Sequence, residues 1–304
     1  NRQANHLIAL DGMPRERLLA LLDGAQQFSD VGPADTAPRE QLAGRIVANV
    51  FLEDSTRTRT SFDIAAKRLG ADTVTLTGKG SSISKGESLG DTIDTINAMG
   101  VDAIVLRCSA SGGAQLAAEH ADCPVINAGD GNHEHPTQGL LDLLTMRQAL
   151  GEWRDRHVAI VGDIAGSRVA RSNLHGLMTL GAQLTLIGPP TLVPQSLAEL
   201  GEPGRLQISH DLDAVLPEVD VIMALRVQFE RGSDVTADYR ALYGLTSERA
   251  AMLKPGAIVM HPGPMNRGLE IDAAVADDPD HSVIQRQVTN GVAVRMAVLN
   301  ELVG

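Results

Sequence analysis

Short apolar runs alternate with amphipathic helical stretches along almost all of this 304-residue chain, and no other feature narrows the fold as much. The runs are Ile46–Phe51, Thr73–Leu76, Ala103–Leu106 and Val125–Asn127, then His157–Val161, Leu184–Ile187, Val219–Met223 and Ala257–Met260. Between them, segments such as Arg15–Phe28, Arg57–Leu69 and Pro136–Leu150 space apolar residues as a helix does. Strands that alternate with helices are joined by crossovers, which gives parallel sheets with helices on both faces. The sequence therefore predicts an α/β protein with two doubly wound domains, each a parallel sheet flanked by helices. At about 150 residues per domain the length allows two. Gly151 stops the helix that starts at Pro136, and a fresh strand begins at His157, so the domains are expected at 1–150 and 151–287. A last helical pattern, about 288–304, should follow a turn at or just before Asn290-Gly291 and pack back on the first domain. In sheets of this kind ligands bind beyond the carboxyl ends of the strands. Site residues are therefore sought just after strands.

Composition removes several functions. A formal net charge of −12 is wrong for a non-specific nucleic-acid binder. Only one Trp, two Tyr and four Phe are present, too few for a base-stacking platform. No apolar run reaches the ~18 residues of a membrane span. Asn1 to Pro14 lacks the basic start and apolar core of a secretory signal, so a cytoplasmic protein is expected. Cys108 and Cys123 make neither a disulfide framework nor a zinc site. The four lysines against 22 arginines fit a base-composition bias. They equally fit anion sites, because a guanidinium grips phosphate or carboxylate through two hydrogen bonds.

Spacing points to particular residues. Ser55, Thr56 and Thr58 put hydroxyls at the start of a helix that follows a strand, and Arg57 adds a fork at the same place. Free backbone N–H groups and the helix dipole make that a phosphate cradle without a glycine-rich loop. A plain N-cap needs one hydroxyl, not three. Ser81 and Lys85 lie in a polar Ser/Gly segment, which reads either as a surface loop or as a flexible arm bringing a point charge to a ligand. Arg107 follows the Ala103–Leu106 run and suits a surface ion pair or an anion. His135 precedes Pro136, and Gln138 lies in the first turn. A helix N-terminus favours a neutral imidazole that can donate to a carbonyl oxygen. The His133–His135 spacing is poor for metal, and no metal is expected. The glycines of Gly162-Asp-Ile-Ala-Gly166 miss the dinucleotide-binding spacing, which leaves Arg168 as an anion ligand at a helix start. Arg226 and Gln228 alternate onto one side of an extended segment, one fork and one amide, as a carboxylate site or a polar loop. Pro262-Gly263-Pro264 makes a rigid loop whose carbonyls could accept from an amine or amide. No glycosidase-type acid pair and no nucleophile–base motif appears. What remains is a reaction of positioning and charge stabilisation with no cofactor.

The segments Phe51–Phe62, His135-Pro-Thr-Gln138 and Arg226-Val-Gln228 resemble, in order and over nearly the whole chain, the signature of the aspartate/ornithine carbamoyltransferase family. Ser81, Lys85-Gly-Glu87 and His261-Pro-Gly-Pro264 resemble its aspartate branch, and the ornithine branch's late cysteine motif is missing. The resemblance implies carbamoyl phosphate on Ser55, Thr56, Arg57, Thr58, Arg107, His135 and Gln138. It implies L-aspartate on Arg168, Arg226 and Gln228, with Lys85 and Ser81 arriving from a neighbouring subunit. Pro262 and Gly263 would lie near the reacting carbonyl, in a cleft between the two domains. Arg57, Thr58, His135, Lys85 and Arg107 are the implied catalytic residues. A homotrimer with shared sites follows, and His261–Gly268 resembles the branch that associates with dihydroorotase or an inactive relative of it. The product implied is N-carbamoyl-L-aspartate, on the way to pyrimidines. The alternatives are a carbamoyltransferase for another amino acid, such as ornithine, and a non-catalytic assembly subunit of the same fold.

Overall fold

The structure is a computed structural model that describes residues 5–31, 40–78, 86–227 and 238–304. The chain forms two units by contact, Asn1–Leu141 with Thr289–Gly304, and Asp142–Val288. The division thus falls within the helix Pro136–Leu150, whereas the sequence puts it at that helix's end.

The first unit holds α1 (Arg15–Val31), β1 (Ile46–Phe51), α2 (Thr56–Arg68), β2 (Asp72–Thr77), α3 (Leu89–Ala98), β3 (Ala103–Cys108), α4 (Gly113–His120) and β4 (Val125–Asp130). Its four strands are parallel, in the order β2-β1-β3-β4. Ala48 and Val50 of β1 and Ile104 and Leu106 of β3 pack on Ile93 and Ile96 of α3 and on Ala117 of α4. Helix α2 lies against β1 and β2. Strands β1, β3 and β4 are buried along nearly their full length, so apolar residues dominate β1 and β3, while β4 carries two buried polar residues, Asn127 and Asp130. The edge strand β2 is largely exposed and reads more polar, as Asp-Thr-Val-Thr-Leu-Thr.

Helix α5 (Pro136–Leu150) spans the division, and the second unit continues with β5 (His157–Val161), α6 (Arg168–Leu180), β6 (Gln183–Ile187), β7 (Leu206–Ser209), β8 (Val221–Ala224) and β9 (Ile258–Met260). Its five strands are parallel, in the order β7-β6-β5-β8-β9. Ala159, Val161, Ile187, Ile222 and Val259 share a core with Leu212, Tyr239, Tyr243 and Val275. The fold class is the expected one, two parallel sheets flanked by helices. No helix among the described residues is long and apolar enough to cross a membrane.

Two expectations change. The C-terminal helix runs unbroken over Ile284–Val303, with no turn at Asn290-Gly291. Asn290 is buried, and its Oδ1 accepts from the Ser29 hydroxyl at 3.2 Å. A Cβ on Gly291 would lie 2.7 Å from Arg295 Nη1, so the glycine serves close packing and not a turn. Strand β7 is an addition: Leu206-Gln-Ile-Ser209 has only two apolar residues and forms an edge.

Candidate active site

Each sheet has one place where the strand order reverses, between β1 and β3 in the first unit and between β5 and β8 in the second. Crevices at such reversals are where doubly wound sheets bind ligands.

At the first reversal, β1 ends at Phe51, in register with Arg107 of β3. The chain then turns through residues 52–54 to Ser55, the N-cap of α2, whose side chain makes no cap hydrogen bond. Thr56 and Arg57 are exposed on the first turn, and Thr58 is buried. The helix start therefore presents backbone N–H groups, hydroxyls and a guanidinium together, as an anion requires. Arg107 lies inside β3 rather than after it, because the strand continues to Cys108. The β3–β4 register shifts between Leu106 and Cys108, and such an irregularity re-aims the side chain it contains. The Arg107 guanidinium is mostly buried, with Nε 3.3 Å from Glu53 Oε2 and Nη1 donating to the Ala128 carbonyl at 3.3 Å. Glu53 carries no role in the sequence reading, although it lies within the quoted Ser/Thr/Arg motif.

His135 is buried and its carbonyl accepts from Gln138 N, at 3.0 Å, and from Gly139 N, at 3.1 Å. The loop ahead of it is held by two fully buried acids. Asp130 accepts from the Asn127 amide (2.8 Å), Gly112 N (3.0 Å) and Glu134 N (3.2 Å), and lies 3.1 Å from His133 Nδ1. Glu134 accepts from Leu10 N (2.8 Å) and Asp11 N (3.0 Å). The N-terminal segment also pairs with β4, Leu7 bridging Ile126. Glu134 escapes a sequence reading because its partners Leu10 and Asp11 are distant along the chain. The one signal is an acid placed next to His135.

At the second reversal, Ser167 caps α6, its Oγ accepting from Ala170 N at 3.1 Å, and Arg168 is the buried first residue of that helix. Gly162 follows β5 at φ 139°. A Cβ there would lie 2.9 Å from Leu225 Cβ, so only glycine lets the loop before Arg168 pass so close to the one carrying Arg226. Tyr239 lies beneath; burial pushes its hydroxyl pKa up, and the carboxylates of Glu270 and Asp163 add to the shift. Beyond β9, Pro262 and Gly263 are partly exposed, with Gly263 at φ 64° and a cis peptide to Pro264. Ser81, Lys85 and Gln228 lie outside the described residues.

The arrangement thus places Ser55–Thr58, Arg107, His135 and Gln138 around one sheet's carboxyl edge. It places Arg168, Arg226 and the Pro262–Gly263 loop around the other's. The model of the aspartate/ornithine carbamoyltransferase carbamoyl-P binding domain matches residues 5–148. That of the Asp/Orn binding domain of the same family matches 154–302. The chain belongs to the aspartate/ornithine carbamoyltransferase family. It is 52% identical over 298 residues to the aspartate carbamoyltransferase catalytic subunit of Myxococcus xanthus, covering 97% of this chain and 98% of that one. It is 50% identical over 305 residues to the Gluconacetobacter diazotrophicus protein of the same name, covering 99% and 94%. Aspartate transcarbamoylase from Trypanosoma cruzi, solved with carbamoyl aspartate and phosphate, superposes with a TM-score of 0.90 at 31% identity, over 99% of this chain and 96% of that one. Ornithine carbamoyltransferase from Pyrococcus furiosus superposes at 0.89 with 27% identity, over 99% and 97%. Within the family, both substrate types therefore share this fold, while the curated relatives named here carry the aspartate name.

Proposed function

We propose that this chain transfers the carbamoyl group of carbamoyl phosphate to the amine of L-aspartate, giving N-carbamoyl-L-aspartate and phosphate. The observation that carries the reading is the pairing of an arginine with a capped or hydroxyl-bearing helix start at both sheet reversals. The relatives supply the substrates' names, and the trypanosomal structure holds the corresponding product pair.

In this reading the first unit holds the phosphate on Ser55, Thr56, Arg57, Thr58 and Arg107. His135, Arg57 and Thr58 donate to the carbamoyl oxygen, with Gln138 at the amide. Arg168, Arg226 and Gln228 take the carboxylates of aspartate, joined by Lys85 and Ser81 of a neighbouring subunit. The amine nitrogen attacks the carbamoyl carbon and a C–N bond forms. Negative charge builds on the oxygen, where preorganised donors stabilise it more than they stabilise the ground state. The tetrahedral intermediate collapses, the C–O bond to phosphate breaks, and the departing phosphate takes the amine proton. The carbonyls of Pro262 and Gly263 steady the N–H groups. Rate comes from alignment and charge stabilisation, so no cofactor is invoked.

The same reading makes the enzyme a cytoplasmic homotrimer of pyrimidine synthesis, with dihydroorotase or an inactive relative as a candidate partner. Product formation should be measured with carbamoyl phosphate and, in turn, aspartate, ornithine, N-acetylornithine and putrescine. Turnover with aspartate alone is expected. Turnover only with one of the others overturns the substrate, and none at all favours the assembly-subunit alternative. Mixing inactive Lys85→Ala and Arg57→Ala proteins should restore activity through hybrid sites. No recovery after confirmed subunit exchange would refute sharing.

A further inference from the structure

We propose that Glu270 is a positioning residue for the amino-acid half of the site, acting through His261 and Asn266. The inference rests on the assignment of Arg226, Pro262 and Gly263 to that half. Glu270 and His261 are both buried, at 1% and 2% exposure. One carboxylate oxygen, Oε1, accepts from Asn266 N at 2.6 Å and lies 3.1 Å from His261 Nε2. The other, Oε2, has no hydrogen-bond partner among the described residues, so the hold of this side chain runs through Oε1.

The pattern fixes the histidine's state. Gly263 N donates to His261 Nδ1 at 2.8 Å, so Nδ1 carries no proton. The ring proton belongs on Nε2, where it is donated to Glu270. Glu270 thereby sets the tautomer that makes His261 an acceptor for the Gly263 amide, and with it the set of the Pro262–Gly263 peptide. The main chain at His261 is anchored separately, its N donating to Gln287 Oε1 at 3.0 Å.

Asn266 carries the influence to the neighbouring loop. Its Nδ2 donates to the Val227 carbonyl at 3.0 Å. Val227 follows Arg226 just beyond β8, and β8 pairs with β9, whose end leads to His261. One carboxylate oxygen thus organises the two loops that carry the arginine and the two carbonyls. Each link is a hydrogen bond within the second unit, and none requires Glu270 to touch a substrate.

The test uses the full-length enzyme and steady-state kinetics in both substrates, with melting temperatures alongside. Glu270→Ala removes Oε1 and should raise the KM for aspartate and lower kcat, by up to about a hundredfold together for a misplacement near 1 Å. The KM for carbamoyl phosphate should stay within about twofold of wild type, since no first-unit contact is lost. Glu270→Gln keeps Oε1 and puts an amide where Oε2 has no partner, so it should recover most of the loss. Asn266→Ala cuts only the tie to Val227 and should raise the KM for aspartate with little change in melting temperature.

Wild-type aspartate kinetics in a folded Glu270→Ala or Asn266→Ala protein overturns the proposal. So does an equal rise in both KM values, or a Glu270→Gln protein as impaired as the alanine variant. If Glu270→Ala fails to fold, Asn266→Ala decides. Arg226→Ala is measured in parallel: if it leaves the KM for aspartate unchanged, the assignment of this half fails and takes the inference with it. If Arg226→Ala raises that KM while Glu270→Ala and Asn266→Ala do not, only the inference fails.

Discussion

Removing the carboxylate of Glu134 should damage the first unit's stability and the carbamoyl phosphate site proposed for it together. Glu134 is fully buried and accepts from Leu10 N at 2.8 Å and Asp11 N at 3.0 Å. Leu10 is itself 1% exposed, so its amide cannot turn to water, whereas Asp11 is exposed and its amide can. A hydrogen bond to a charged acceptor contributes about 1.5–3 kcal/mol, and a buried orphaned donor costs about 1–3 kcal/mol. Counting the Leu10 bond near the top of that range and the Asp11 bond near the bottom, Glu134→Ala should lose about 3–5 kcal/mol. At about 2–4 °C per kcal/mol for a unit of this size, the melting temperature should fall by about 6–20 °C. Glu134→Gln keeps one acceptor and turns an NH2 toward the second amide, so it should lose roughly half as much. Because Glu134 directly precedes His135, the KM for carbamoyl phosphate should rise while that for aspartate does not. Calorimetry with two-substrate kinetics reads both effects. A fall of less than about 2 °C with an unchanged KM would show that the N-terminal segment does not brace the His135 loop, refuting the argument.

Three further outcomes are expected. Arg107→Lys should reduce kcat/KM for carbamoyl phosphate by about 10–100-fold, because an ammonium cannot reproduce the fork that now spans Glu53 and the Ala128 carbonyl; wild-type kinetics would remove Arg107 from the site. Burial pushes the His157 imidazole below its ordinary pKa, and its Nε2 lies 2.8 Å from Thr185 Oγ1. The folded state then binds fewer protons than the unfolded one, so this stability is present above the unfolded value of about 6.5 and lost as pH falls toward the lower folded value. Melting temperature should therefore drop on acidification below about pH 6.5, and less steeply in His157→Gln; equal slopes would remove His157 as the cause. Gly291→Ala should destabilise by about 1–3 kcal/mol despite alanine's better helix propensity. Its Cβ would come 2.7 Å from the Arg295 guanidinium, which is pinned by Ser61 Oγ at 2.8 Å and stacked 5.0 Å from the Phe62 ring centroid. A gain in melting temperature would show that Arg295 yields.

What the sequence discloses here is local pattern, and what it hides is partnership across distance. The strands Ile46–Phe51 and His157–Val161 lie where their apolar runs place them, because a strand buried on both faces writes its bounds in side-chain polarity. Arg107 reads as lying beyond its strand because it breaks an apolar run, yet the backbone ladder continues to Cys108. Polarity marks where side chains leave the core, and hydrogen bonding marks where a strand ends; at Arg107 the two differ. Ser55–Thr58 stand out because three hydroxyls and an arginine fall in four consecutive letters, and the helix they begin starts where that density places it. Glu134 and Glu270 are illegible for the opposite reason. An isolated glutamate reads as solvated surface, and only its partners reveal otherwise. Those of Glu134 lie more than 120 residues away, at Leu10 and Asp11. Those of Glu270, His261 and Asn266, are near in sequence, but the geometry that turns one carboxylate oxygen toward both exists only after β9 and its loop have formed. Residues that face a ligand carry a chemical signature of their own, while residues that hold them in place carry none. A family resemblance therefore transfers the first set readily, and the second has to be found by following hydrogen bonds.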